Sequence, residues 1–254
     1  MKYLLEINKL TVHVGHKTLL HNVSFKAAQG KITALVGASG SGKTTIANSI
    51  MRLLPTGLEI NHGEMLFEHK NLLLFNKEQM RLVRGARISM IFQEPLGAFN
   101  PLMTIGQQMD EVLAVHTDKL KNERNKKILD VLAKVELLDS EHIFNRYPHQ
   151  LSGGQRQRAM IAQALVADPK LIIADEPTSN LDVTLQARIM DLFRHFRKEG
   201  MTMLLISHDL GMVSHLADDV IILEKGQVIE SGQVQTIMQA PKHKYTQRLM
   251  EAFA

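Results

Sequence analysis

The chain contains no cysteine, which excludes disulfides, zinc–thiolate centres and iron–sulfur clusters. Aromatic residues make up only 5% of its 254 positions, but the apolar share is ordinary and enough for a sizeable core. No apolar run approaches the roughly 18–20 residues that a bilayer-spanning helix needs. The longest, Leu171-Ile172-Ile173-Ala174 and Val220-Ile221-Ile222-Leu223, are strand-sized. The N-terminus, Met1-Lys2-Tyr3-Leu4-Leu5-Glu6, lacks the apolar region and small-residue cleavage site of a signal peptide, so the expected compartment is the cytoplasm. Charge is close to balance: the formal +4 suits a surface near anionic lipid or a phosphate-bearing ligand and does not indicate nucleic-acid binding. His13 and His16 are three apart, but in a strand–turn that spacing does not place both on one face. They read as scattered turn histidines rather than metal ligands.

What is present begins with Gly37-Ala38-Ser39-Gly40-Ser41-Gly42-Lys43-Thr44, followed by Thr45. The stretch fits G-x-x-x-x-G-K-[ST], the phosphate-binding loop of P-loop NTPases. Its context fits as well, with the apolar strand Ile32 to Val36 before it and a helix expected over Thr44 to Leu54 after it. The glycines let successive N–H groups turn inward on phosphate oxygens, at the positive end of the helix that follows. Lys43 would reach the β- and γ-phosphates and the Thr44 hydroxyl would ligate Mg²⁺. Glycine-rich turns join strands to helices in many α/β proteins, but Lys and Thr in register separate this one from them.

Along the chain, Leu4 to Val14, Leu19 to Ala27 and Lys31 to Val36 read as strands, with Gly63 to Phe67 as another. A short helix is expected near Lys77 to Arg84, and a strand over Ile88 to Gln93. Residues 95–150 then turn helical. The clearest case is Leu120 to Leu138, where Ile128, Leu129, Leu132 and Val135 form an apolar face, and Lys121, Glu123, Arg124, Lys126 and Lys127 are expected on a solvated one. After that come helix Gly153 to Ala167, strand Lys170 to Asp175, helix Val183 to Glu199, strand Thr202 to Ser207, a short helix from Asp209, and strands Val220 to Leu223 and Val228 to Glu230. Strand–helix alternation argues for an α/β fold with a mainly parallel sheet. The expected organisation is one domain over 1–254, with a core of 1–94 and 151–254 interrupted by a helical insertion at about 95–150.

A second constellation narrows the class. Leu151-Ser152-Gly153-Gly154-Gln155 precedes a helix, and Asp175-Glu176 end an apolar strand. Here the sequence resembles the nucleotide-binding subunits of ATP-binding-cassette (ABC) transporters, over essentially its whole length. The resemblance takes in Gln93, the segment Ser179-Asn180-Leu181-Asp182, and His208 flanked by Ser207 and Asp209. It implies the ABC ATPase fold: a P-loop NTPase core, an N-terminal antiparallel β subdomain and a helical signalling insertion. It also implies ATP and Mg²⁺ as cofactors. Thr44, Gln93 and Asp175 would face the metal, and Glu176 would polarise the attacking water. His208 would contact the γ-phosphate. Gly37 to Thr45, Ser152 to Gln155 and Asp182 would bind the nucleotide, with Ser152, Gly153 and Gly154 facing the γ-phosphate held by another subunit's loop. A dimer is then required for hydrolysis. One departure stands out: where the family stacks adenine on an aromatic side chain, this chain has Val14 between His13 and His16.

Phe92-Gln93-Glu94-Pro95, Phe99-Asn100-Pro101, Tyr147-Pro148-His149-Gln150 and Pro241-Lys242-His243-Lys244-Tyr245-Thr246 resemble the oligopeptide, dipeptide and nickel uptake branch. Peptide-importing members usually run longer and often carry a cysteine cluster, so the resemblance favours the short, nickel-import type. It implies a second ABC ATPase subunit (like or unlike), two transmembrane permease subunits and, indirectly, an extracytoplasmic solute-binding protein. The chain would lie on the cytoplasmic face of the inner membrane. The alternatives are a di- or oligopeptide importer, and a non-transport ABC ATPase accessory to an enzyme complex such as phosphonate degradation.

Overall fold

Leu5, Ile7, Leu10 and Val12 are fully buried along one face of the first strand. The alternation slips by one between Ile7 and Leu10, where Lys9 takes φ +50° and the register with both neighbouring strands shifts. A bulge of this kind adds one residue and returns the next apolar side chain to the core face. Five strands come early: β1 (Tyr3–Val14), β2 (Lys17–Ala28), β3 (Ile32–Val36), β4 (Leu58–Phe67) and β5 (Lys70–Asn71). Then follow β6 (Ile88–Ile91), β7 (Leu171–Asp175), β8 (Thr202–Ser207), β9 (Asp219–Glu224) and β10 (Gln227–Gln233). The computed structural model describes residues 2–179 and 181–251, in two units: Met1–Arg81 with Phe193–Ala254, and Leu82–Leu192.

In the first unit, β2, β1, β4 and β5 make an antiparallel sheet in that order. A second sheet places β3 between β8 and β9, parallel to both, with β10 antiparallel on β9. Every residue of β3 and β8 is buried, the pattern expected of parallel strands covered on both faces. In the second unit β6 and β7 pair in parallel, again wholly buried. Both pairs follow the strand–helix alternation of the sequence.

Three local expectations need correction. The helix after the glycine-rich loop runs Lys43–Met51, not to Leu54, because Arg52 takes a left-handed conformation and Leu53 donates its N–H back to the Asn48 carbonyl. Strand β4 starts at Leu58 rather than Gly63. Its first residues alternate only briefly, with Leu58 and Ile60 half-buried between the exposed Glu59 and Asn61, and they pair with β1 as far as Val14↔Leu58. The charges expected to be solvated are in part structural. Arg124 makes a two-pronged ion pair with Asp110 (2.6 and 3.2 Å), tying helix Lys121–Lys134 to helix Ile105–His116, and Lys127 bonds both oxygens of Asp168. Ile128, Leu132 and Val135 are fully buried, and Arg124 precedes Ile128 by one turn on the same side of the helix.

The link before those helices is pinned by one buried amide. Gln108 accepts the Asn100 N–H and donates to the Asn100 and Met103 carbonyls, so a polar side chain is satisfied in the core. Thr104 caps the next helix in a reciprocal box with Gln107. Among the described residues no helix is long and apolar enough to cross a membrane.

Candidate nucleotide site

In the first unit the glycine-rich loop leaves the buried end of β3 and enters helix Lys43–Met51. Gly42 is the N-cap at φ +106°, a conformation that L side chains rarely adopt, and a Cβ there would lie 2.6 Å from the Leu20 side chain. A Cβ on Gly37 would stand 2.2 Å from the Leu223 carbonyl oxygen. Glycine is therefore required at both ends of the loop. Its turn is closed by Ser41 N–H donating to the Ala38 carbonyl (3.1 Å). Lys43 is buried, and its Nζ donates to the Gly37 and Ala38 carbonyls at 2.8 and 3.0 Å. Ala38, Ser39, Gly40 and Thr44 are exposed, and Thr45 is half-buried.

These features can be tested against a phosphate ligand. The Ser41 hydroxyl is buried and has no hydrogen-bond partner among the described residues. No acidic side chain occupies the first turn of the helix, whose leading N–H groups have no intrahelical acceptors. A buried cation, an orphaned hydroxyl and the leading N–H groups of a helix suit an anion and would repel a cation. His208 also belongs to this unit and follows directly on β8.

The second unit holds the acidic pair. Asp175 is the last residue of β7 and only 4% exposed. Glu176 follows at φ +45°, a left-handed conformation that costs a non-glycine residue about 1–2 kcal/mol. Such strain is held where the surroundings over-determine it. Here Ser179 donates both its N–H (3.1 Å) and its hydroxyl (2.9 Å) to the Glu176 carbonyl. Gln93, in the loop after β6, donates its side-chain N–H to Glu176 Oε2 at 3.3 Å. The structure thus brings Gln93 to Glu176 and places Asp175 next to it.

Ser152 caps helix Gly153–Leu165 in a reciprocal box: its hydroxyl accepts the Gln155 N–H, and the Gln155 side chain accepts the Ser152 N–H. Ser152 and Gly153 are exposed, and Gly154 and Gln155 are half-buried. Asp182 accepts the Leu185 N–H at the start of helix Val183–Lys198. The neighbouring Asn180 lies outside the described residues. Ser152→Ala is expected to cost about 1 kcal/mol through loss of the cap alone. Denaturant unfolding checks this, and an unchanged midpoint would remove the capping role.

Three contacts escaped the sequence reading. The fully buried Gln157 donates to the Pro177 carbonyl, tying the Ser152-capped helix to the turn after Glu176. Gln186 donates to the Thr178 and Leu181 carbonyls. In the first unit the Tyr245 hydroxyl accepts the Ala38 N–H at 3.0 Å. Helical spacing to Met160, Ile161 and Ala164 places Gln157 on the buried face, but nothing in the sequence names its acceptor. Near Val14, which is 36% exposed, the His13 ring is hydrogen-bonded to the Thr18 hydroxyl and His16 is exposed.

A lysine-bearing loop at a helix N-terminus, next to wholly buried parallel strands, defines a P-loop nucleotide-binding cassette. The comparisons assign its family. The ABC transporter family matches residues 20–179, and the chain belongs to that family. A peptidoglycan transport ATP-binding protein of Agrobacterium fabrum is 45% identical over 255 residues, an alignment taking in 98% of this chain. A dipeptide transport ATP-binding protein of Haemophilus influenzae is 41% identical, again over 98% of this chain. The chain spans 47% of the length of the first relative and 77% of the second. Among solved structures, the dimeric structure of a bacterial ABC transporter cassette superposes with a TM-score of 0.80 at 29% identity, covering 91% of this chain and 98% of that one. The fold is that of an ABC ATPase: an antiparallel N-terminal sheet, a mixed sheet and helices. The chain is an ATPase cassette of the transport class.

Proposed function

We propose that this chain is the ATP-hydrolysing, energy-coupling subunit of a di- or oligopeptide importer. The observation that carries the reading is the set of relatives. Proteins named for dipeptide or oligopeptide transport match 92–98% of this chain at 41–43% identity. Others are named for D,D-dipeptide transport and glutathione import. They favour the peptide alternative over nickel, which their names do not mention.

In this reading Lys43, the Ser41 hydroxyl and the N–H groups of Gly37 to Thr45 other than those of Ala38 and Ser41, which donate to Tyr245 and to the Ala38 carbonyl, hold the phosphates. The Thr44 hydroxyl, Asp175 and Gln93 take the Mg²⁺ that accompanies ATP. All three offer hard oxygen donors, and such a metal is held by one or two carboxylates together with substrate phosphates. When bound, it neutralises charge developing on the β- and γ-phosphate oxygens. Glu176, oriented by Gln93 and by its constrained backbone, accepts the proton of the attacking water. His208 donates to the γ-phosphate. His16, exposed beside Val14, is the side chain offered to adenine in place of an aromatic residue.

The exposed Ser152 and Gly153 at a helix N-terminus present N–H groups to the γ-phosphate of a second cassette. A dimer therefore closes over two nucleotides, as the solved relative's dimeric state suggests. The partners are that second ATPase subunit, two permease subunits and, through them, an extracytoplasmic binding protein. The site of action is the cytoplasmic face of the membrane. Uptake of a radiolabelled dipeptide in a deletion strain tests the assignment. Dipeptide uptake is expected to disappear while nickel uptake persists. Loss of nickel uptake alone would overturn the reading, and loss of neither would move the chain to a non-transport role.

A further inference from the structure

The Gly37–Ala38 peptide group is hydrogen-bonded at both ends. Its carbonyl, the Gly37 oxygen, accepts Lys43 Nζ at 2.8 Å. Its N–H, on Ala38, donates to the Tyr245 hydroxyl at 3.0 Å, from a residue 207 positions away. A peptide group is planar, and its N–H and C=O point in opposite directions. Fixing the N–H therefore fixes the carbonyl, and a hydrogen bond at one end polarises the other.

Tyr245 is itself held firmly. Thr246, which follows it, is fully buried. The backbone N–H groups of Lys242 and His243 donate to the two oxygens of Glu230, at 2.9 and 3.1 Å, and Glu230 lies on β10. Burial alone would raise the Glu230 carboxyl, but the two N–H groups that donate to it help hold it below the usual carboxylate range, in its accepting form. The turn between β9 and β10 also reaches the loop, where Gly226 N–H donates to the Ser41 carbonyl at 2.9 Å. The segment Pro241 to Thr246 thus clamps onto Glu230 and delivers one hydroxyl to the glycine-rich loop.

We propose that Tyr245 is a positioning residue of the nucleotide site, which sets the Gly37–Ala38 peptide and through it the placement of Lys43. The proposal rests on Lys43 being the phosphate ligand. It assigns to the C-terminal segment a direct part in nucleotide affinity.

Tyr245→Phe keeps the ring and removes only the hydroxyl. ATP binding to the full chain, titrated with a fluorescent ATP analogue, is expected to weaken about three- to tenfold, the worth of one hydrogen bond. The melting temperature without nucleotide is expected to stay at the wild-type value. In turnover assays the same change should appear in KM, with kcat nearly constant. Because the effect runs through Lys43, Tyr245→Phe should weaken binding no further in a Lys43→Ala background. Wild-type affinity in Tyr245→Phe overturns the proposal. So does an undiminished effect on Lys43→Ala, or a loss of affinity matched by a fall in melting temperature. If Lys43→Ala itself binds ATP normally, the phosphate-site reading fails first and this proposal falls with it.

Discussion

Lys43→Ala is expected to weaken ATP binding roughly 100-fold, about 3 kcal/mol, while leaving the fold intact. The magnitude follows from what a buried ammonium offers an anion. Its hydrogen bonds to charged oxygens are each worth about 1.5–3 kcal/mol, and alanine removes all of them. The intact fold follows from the loop's own bonds. Ser41 N–H on the Ala38 carbonyl, Ile46 N–H on the Gly42 carbonyl, Gly226 N–H on the Ser41 carbonyl and Ala38 N–H on Tyr245 all stand without the lysine side chain. Two readouts check this. Equilibrium titration should show the loss of affinity. Added ATP should raise the melting temperature of the wild type, as ligand linkage requires, and not that of the variant. Near-wild-type affinity would place the phosphate site elsewhere in the chain.

The loop was legible in the sequence because its chemistry is local. The glycines, the lysine and the following helix lie within a few residues of one another, although the contacts that require glycine at 37 and 42 come from the distant Leu223 and Leu20. Strands β3, β7 and β8 were legible for a similar reason, since burial on both faces leaves an unbroken apolar run. The first half of β4 was not legible, because its alternation is confined to the half-buried Leu58 and Ile60 and the partner strand defines it. Arg124 was misread as solvated, since a charged residue on a helix looks the same whether it faces water or Asp110. The Tyr245–Ala38 contact lies beyond any local pattern. The stretch around Tyr245 resembles an element of the uptake branch, but the resemblance does not name the backbone group it meets. For β4, Arg124 and Tyr245, what could not be read was a pairing with another element. The residue types themselves were visible.

The same division holds for the acidic pair. Asp175-Glu176 after an apolar strand is readable as a motif, but the left-handed backbone of Glu176 and its bond from Gln93 are not. That geometry gives Gln93 a part in holding the carboxylate. A glutamine in the loop after β6 that holds the carboxylate links any movement of the loop to the orientation of the base. The Gln157–Pro177 bond fixes the other flank, joining the turn after Glu176 to the helix capped by Ser152. Within this unit, the carboxylate is thus tied to the loop after β6 and, through the turn that follows it, to the helix capped by Ser152.

Glu176→Gln should therefore separate binding from chemistry. The substitution is nearly isosteric and keeps a side-chain oxygen to accept from Gln93, so the network is retained. It leaves the left-handed backbone under the same constraint, because glutamine tolerates φ +45° no better than glutamate does. What it removes is the basic carboxylate, and general-base catalysis contributes about 10²–10⁴ to rate. Turnover in the assembled transporter should fall by about that factor, while ATP affinity stays within about threefold of wild type, the worth of a fraction of one hydrogen bond. Single-turnover hydrolysis and nucleotide titration on the same preparation measure the two quantities. Near-normal hydrolysis in Glu176→Gln would remove Glu176 from the chemical step. Glu176→Gly sharpens the contrast: relieving the left-handed strain should gain about 0.5–1 kcal/mol, less the added entropy of glycine in the unfolded chain. Its hydrolysis should be no faster than that of Glu176→Gln. A variant more stable than wild type but unable to turn over would identify the strain at Glu176 as a cost borne for function.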